Sequence, residues 1–273
     1  EVMSFTLQSV VSSKTLYAPQ RFLLYGVQGI GKTLCASTFA SPIILRTEDG
    51  TSAIDVPTFP DLARTYEDVT QAISALHGEH PYRTLVIDSV DWMEQLVWDH
   101  VCAKHPDAQG HPLPSIEAIG YGKGYIEADA YWRYIQSGLD SLRFKKGMQI
   151  VIIAHAEVKT FCPPDGDQYD RYQPKLQKRA FALWQEWADE VFFVNYRRRM
   201  IDNGQNSRSK RAEGDGARVI FTSERPAYLA KNRWSMPDEI YVGQDRTWKP
   251  LHDTLRQCIG EKYPYPLSDK QEA

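Results

Sequence analysis

Residues Gly26-Val27-Gln28-Gly29-Ile30-Gly31-Lys32-Thr33 complete the pattern G-x-x-x-x-G-K-[ST], and this segment constrains the possible folds of the chain most strongly. The pattern needs a strand before it and a helix after it. Arg21-Phe-Leu-Leu-Tyr25 is an apolar run suited to a buried strand, and Leu34 to Phe39 continue in helix-compatible residues. Glycines 26, 29 and 31 allow backbone angles closed to other residues, so successive N–H groups can turn inward around a phosphate at a helix N-terminus. In that frame residues 26–34, from Gly26 to Leu34, form the nucleotide cradle. Lys32 reaches the β- and γ-phosphates and the Thr33 hydroxyl ligates Mg²⁺. A glycine-rich turn that merely happens to precede a helix would not require Lys-Thr in this register. The expected ligands are ATP and Mg²⁺.

Further apolar runs follow at Ile43–Leu45, Leu85–Ile87, Ile150–Ala154, Val191–Val194 and Val219–Thr222, with helix-like segments between them. Strands alternating with helices predict an α/β domain with a largely parallel central sheet. We expect an N-terminal arm over 1–20, one ATPase domain over 21–250 and a frayed C-terminal tail over 251–273, where Pro264 and Pro266 precede a polar end. Two stretches read as long loops: Cys102 to Tyr125, and Asn203 to Gly216 within a probable late β-hairpin. The chain has 42% hydrophobic and 25% charged residues, the composition of a soluble globular protein. No apolar run is long enough to span a bilayer, and the N-terminus lacks the plan of a secretion signal, so the expectation is a cytoplasmic protein with no membrane partner. Cys35, Cys102, Cys162 and Cys258 form no C-x-x-C pair and read as free thiols. A net charge of −3 leaves nucleic-acid binding to local basic patches.

A phosphate loop needs an acidic partner for its metal. Thr84-Leu-Val-Ile-Asp88 supplies it, with Asp88 at the carboxyl end of a buried strand, where α/β sheets carry their ligands; the alternative is an Asp that caps the next helix. Ser89 follows, so the residue that activates water lies elsewhere. Glu48, just past the strand Ile43–Thr47, is the best placed carboxylate, although Glu48-Asp49-Gly50 also reads as a simple acidic turn.

These features resemble a family. Val86-Ile-Asp-Ser-Val90 is similar to the Walker B stretch of RecA-type recombinases, and Arg46-Thr-Glu48 occupies the place of their catalytic glutamate. Ile152-Ile-Ala-His155 resembles the strand end that carries the γ-phosphate sensor, with His where Gln is usual. Ala230-Lys231-Asn232-Arg233-Trp234 resembles the Lys-Asn-Arg-aromatic motif of the bacterial RadA branch, with Ser235 where that branch has Gly. Over about residues 20 to 245, and with Gly120-Tyr-Gly-Lys-Gly-Tyr125 after the Walker B helix, the chain resembles the phage RecA-like ATPases of the Sak-type single-strand annealing group. The resemblance implies a RecA-like P-loop core and an ATPase that binds single-stranded DNA as a homo-oligomer, ring or filament, in the cytoplasm of a bacterial host. A single-strand binding protein is a further expected partner. It also implies that Lys231 and Arg233, leaving one face of a strand over Tyr228–Lys231, act on the nucleotide of a neighbouring subunit.

Several assignments stay open on the residues alone. His155 at a strand end is equally a sensor and an ordinary structural histidine. Lys123, between Gly122 and Gly124, fits a helix-entry turn, or a loop in which it meets phosphate while Tyr121 and Tyr125 stack on bases. Lys159, Arg171, Tyr172, Lys175 and Lys178 interleave basic and aromatic residues in what reads as a mobile DNA-binding loop; a solvated helix face from Gln173 onward is the alternative. Arg197, Arg198 and Arg199 with Arg208, Lys210 and Arg211 form a second basic cluster. The competing functional class is a P-loop small-molecule kinase or a non-recombinogenic nucleotide switch.

Overall fold

The computed structural model describes residues 10–11, 18–50, 54–197, 199–202, 210–213, 216–244 and 246–264. Its frame is an eight-stranded sheet in the order β10-β9-β6-β1-β4-β3-β2, with β5 paired to β4 alone. The strands β1 (Arg21–Gly26), β2 (Pro42–Arg46), β3 (Thr84–Asp88), the first half of β4 (Gln149–Phe161) and β6 (Glu190–Tyr196) run parallel. β9 (Arg218–Phe221) and β10 (Glu239–Gly243) add an antiparallel edge. This is the α/β architecture expected from the alternating runs.

The runs are continuous because the sheet is covered on both faces. In β1, Leu23 and Tyr25 face a core built with α2 (Tyr66–Ala75), α3 (Val90–Lys104), α4 (Lys123–Lys146) and α5 (Lys178–Trp187), while Phe22 and Leu24 face the opposite core. That second core contains Cys35 and Ala36 of α1 (Lys32–Ser37) and Leu251 and Leu255 of α6 (Lys249–Ile259). Local signals fix the helix ends. Thr65 and Asp68 form a reciprocal capping box at α2, and Pro250 occupies the first turn of α6.

Three expectations change. The segment 251–273 is not a tail throughout: α6 buries Leu251, Leu255 and Ile259 beside Trp248, and Tyr263 is buried as well, each large apolar side chain contributing about 1.5–3 kcal/mol. Residues 159–179 are not a mobile loop. β4 continues past the sheet edge and returns as β5 (Tyr169–Pro174), pairing Lys159 with Arg171 and Phe161 with Tyr169. The segment Tyr228–Lys231 is not a strand: its backbone makes isolated bridges, among them Tyr228 to Tyr172 and Lys231 to Val191, and the Tyr25 hydroxyl bonds to the Leu229 backbone.

The stretch 102–125 ends α3 and then carries a 3-10 turn at Ile116–Ile119. Gly122 caps α4 with φ 69° and Lys123 begins the helix, so the helix-entry reading holds there. The late hairpin exists as β7 (Arg199–Asp202) paired with β8 (Lys210–Glu213). Arg198, Arg208 and most of the N-terminal arm lie outside the described residues. Among those described, no helix is long and apolar enough to cross a membrane.

Candidate nucleotide site and its surroundings

The phosphate loop leaves β1 at Gly26, whose missing Cβ is a packing requirement: a Cβ there would lie 2.3 Å from the Val194 carbonyl oxygen of β6. Gly31 caps α1 at φ 101°, a left-handed geometry that an L side chain adopts only with strain. Two distant residues brace the loop. Arg218 of β9 donates through Nε to the Ile30 carbonyl at 2.8 Å, and Trp248 packs with Ile30 in the core beneath it. Lys32 is buried, and its Nζ donates to the Gly26 and Val27 carbonyls, each at 3.2 Å. Burial holds this ammonium below its ordinary pKa, against the pull of Asp88. A cation held by weak neutral acceptors beside a phosphate loop is poised to exchange them for phosphate oxygens.

Asp88 ends β3 with only 4% of its surface exposed and accepts a 2.6 Å hydrogen bond from the Thr33 hydroxyl. Burial pushes its carboxyl up, partly offset by that bond and by Lys32. A buried carboxylate joined to a hydroxyl, with oxygen donors only, fits Mg²⁺. Among the described residues no group of three His, Cys, Asp or Glu could hold a metal alone. The ion would therefore take its other ligands from phosphate and water. Thr33 and Asp88 would hold it, and it would supply charge neutralisation on the phosphates.

Glu48 is placed by the residue before it. The Thr47 hydroxyl donates to the Ser89 carbonyl at 2.6 Å and accepts from the Ser89 N–H at 2.8 Å, clamping the ends of β2 and β3 together. The Glu48 carboxylate then faces His155, 3.9 Å from Nε2. His155 sits beside Gly26 in the β1–β4 register. Its other ring nitrogen, Nδ1, lies 2.9 Å from Asp91, which also accepts the His155 backbone N–H at 3.0 Å. Burial pushes the Glu48 carboxyl up, with His155 opposing. The hydrogen bond to Asp91 raises His155. Asp91 falls below the usual carboxylate range because its bonds from His155 outweigh burial. Sequence reasoning missed Asp91 and Arg218. Asp91 had a signal, since it lies three residues after Asp88 in the first turn of a helix; Arg218 had none.

The residues expected to meet DNA divide. Lys175 and Lys178 are exposed at the base of the β4–β5 hairpin, and Lys159 is exposed midway along it, 2.7 Å from Glu157. Lys123 is exposed at the start of α4. Tyr172 is a correction: its half-buried ring packs against the core and stacks on Phe193 with centroids 5.0 Å apart, so that face is not free to stack on bases. Arg171 is likewise engaged, 3.2 Å from Glu224 and 3.9 Å above the Phe161 ring.

Lys231 and Arg233 sit beside the start of β6, at the amino end of the parallel strands and away from the phosphate loop. Lys231 does not point outward. Its Nζ donates to the carbonyls of Gln185, Glu186 and Ala188 at 3.0, 3.4 and 2.7 Å and so satisfies the C-terminus of α5. Arg233 pairs with Asp189 at 3.1 Å while half its side chain remains exposed. The bridge of Lys231 to Val191, which is in register with Leu23, sets Lys231 three residues, roughly 10 Å, below Gly26 along the strands.

No curated protein matches the chain. Among solved structures it is similar to one titled as the RadB recombinase, at 12% identity over 82% of this chain and 87% of that one, with a TM-score of 0.43. The family model described as AAA domain matches residues 18–234, a span that contains the phosphate loop, Glu48, Asp88, Asp91 and His155, and the chain belongs to this AAA-domain family.

Proposed function

We propose that the protein is a RecA-like ATPase that binds single-stranded DNA and promotes its annealing or pairing, as in the phage Sak-type group. The observation that carries this reading is the joint at His155. One residue faces the candidate base Glu48 through its ring and begins the projecting β4–β5 hairpin through its backbone, where its carbonyl accepts the Lys175 N–H at 2.8 Å. Nucleotide chemistry and a basic hairpin base therefore share a single strand end.

In the proposed reaction Glu48 accepts a proton from water, the resulting hydroxide oxygen bonds to the γ-phosphorus, and the bridging P–O bond breaks to give ADP and phosphate. Lys32 stabilises charge on the transferring group. DNA contact falls to Lys159, Lys175, Lys178 and Lys123. Asp165 and Asp167 make the hairpin tip acidic, so the phosphates of the strand meet its base. Arg233 and the phosphate loop lie at opposite ends of the parallel strands. Arg233 can therefore reach a nucleotide only in a head-to-tail homo-oligomer, where it would act on the neighbour's γ-phosphate.

Electrophoretic shift of a single-stranded oligonucleotide against its duplex, across salt and with and without Mg²⁺-ATP, tests the reading. Single strands should bind preferentially, and Lys178→Ala should reduce the log–log salt slope by about 0.7. Equal binding of both forms, or none, would sink it.

A further inference from the structure

Asp91 belongs to neither the phosphate loop nor the metal pair, yet its side chain is only 5% exposed and both of its oxygens are committed to one residue. One oxygen accepts the His155 backbone N–H and the other meets ring Nδ1. The double grip fixes two things together. The ring bond sets the tautomer and tilt of the imidazole, so Nε2 is the nitrogen turned toward Glu48. The backbone bond sets where β4 leaves the sheet to become the hairpin.

We propose that Asp91 is a positioning residue that locks His155 against Glu48 and joins the hairpin root to the base, so that hairpin position and base orientation change as one. The inference rests on Glu48 being the base. The groups facing His155 account for the need. Glu48 from beyond β2, Asp88 from β3 and Asp91 from α3 place three carboxylates around it, while Lys32 of α1 is the other cation nearby. Positive charge on the imidazole, favoured by its bond to Asp91, would offset those carboxylates and oppose the burial that raises Glu48. A helix-capping role alone would ask only for a carboxylate near the α3 N-terminus, with no bond to a ring on another element.

Asp91→Asn tests the proposal because an amide presents one accepting oxygen and one donating nitrogen, so it cannot hold both the backbone N–H and a protonated Nδ1. Two readouts are needed on the full chain: steady-state turnover of Mg²⁺-ATP, and the His155 ring titration followed by NMR without nucleotide. Turnover at saturation should fall roughly tenfold with KM for ATP within twofold. The His155 midpoint should drop, because the bond to Asp91 that raises it is lost. Unchanged turnover, or a loss of turnover with an unchanged midpoint, would overturn the inference. The parent chain gives an independent check in case the variant does not fold: its His155 must titrate above the ordinary 6.5, and a midpoint at or below that value also overturns it. A parent that titrates as expected but never hydrolyses ATP would refute the ATPase reading while leaving the Asp91–His155 grip in place.

Discussion

The carboxyl and amino edges of the parallel sheet, that is the two ends of its strands, handle buried charge in opposite ways. At the phosphate-loop edge, Lys32 leans on its own loop's carbonyls and Glu48 has its nearest charge partner 3.9 Å away. At the other edge, Arg21 reaches Asp189 at 2.9 Å and Asp140 at 3.3 Å, and Arg143 reaches Asp140 at 2.9 Å, Asp189 at 3.5 Å and the Pro19 carbonyl at 2.7 Å. Trp187 donates to Asp140, and Lys231 completes the end of α5. The second edge is a finished structural lattice, with Glu190 as its exception: buried and held by the Arg233 backbone N–H, its carboxyl is pushed up to about 8. The first edge is unfinished, and its incomplete pairing is what a triphosphate and a cation would complete.

If this contrast is right, substitutions at the two edges should separate activity from stability. Glu48→Gln keeps the shape of the side chain but cannot take up a proton, so ATP turnover should fall by ~10²–10⁴ with nucleotide affinity and melting temperature near those of the parent. Phosphate release at saturating ATP measures the loss. Parent-like turnover would move the base to another carboxylate, with Asp49 the next to examine.

Asp189→Ala addresses the finished edge. It strips Arg21, Arg143 and Arg233 of a shared partner and leaves Asp140 as the one carboxylate for both Arg21 and Arg143, which should destabilise the fold by about 2–3 kcal/mol. Urea unfolding reads this directly, and nucleotide affinity of the folded fraction should be unchanged. A loss of under about 1 kcal/mol would mean that water replaces the carboxylate and that the lattice is dispensable.

The same contrast explains what the sequence could reveal. The sheet was legible because β1, β2, β3 and β6 are buried on both faces and so are continuously apolar through their centres. Lys32 was legible because the phosphate-loop pattern has fixed spacing, and Asp88 because it closes a short buried apolar strand. The hairpin was not, since the outer half of β4 alternates Glu157, Val158, Lys159 and Thr160, a pattern shared by an exposed two-stranded ribbon and a polar loop. The inward turn of Lys231 depends on where α5 ends, a long-range fact with no local trace. α6 did carry a signal, Pro250 followed by Leu251, Leu255 and Ile259 on one face, which the prolines beyond it obscured. Arg171 and Tyr172 looked like nucleic-acid ligands because composition cannot distinguish an aromatic that stacks on a base from one that stacks on Phe193.

Glu94 offers the smallest and most selective probe of the unfinished edge. It lies in α3 one turn beyond Asp91, is buried, and accepts the Gln177 N–H where β5 gives way to α5. Burial pushes its carboxyl from the ordinary 4.5 to about 7, against that hydrogen bond. Between these two values the folded chain keeps a proton that the unfolded chain has released, so stability should fall as pH rises from about 4.5 to about 7 and stay lowered above it. Glu94→Gln retains an oxygen for the Gln177 N–H and has nothing to ionise. The difference in unfolding free energy between variant and parent should therefore grow across that window to about 2–3 kcal/mol in the variant's favour at pH 8. Urea titrations at pH 4.5, 6 and 8 measure it, and taking the difference cancels groups common to both chains. A difference that does not change with pH would mean that Glu94 is as fully partnered as the lattice around Asp189, and the contrast between the two edges would narrow to the phosphate loop and Glu48 alone.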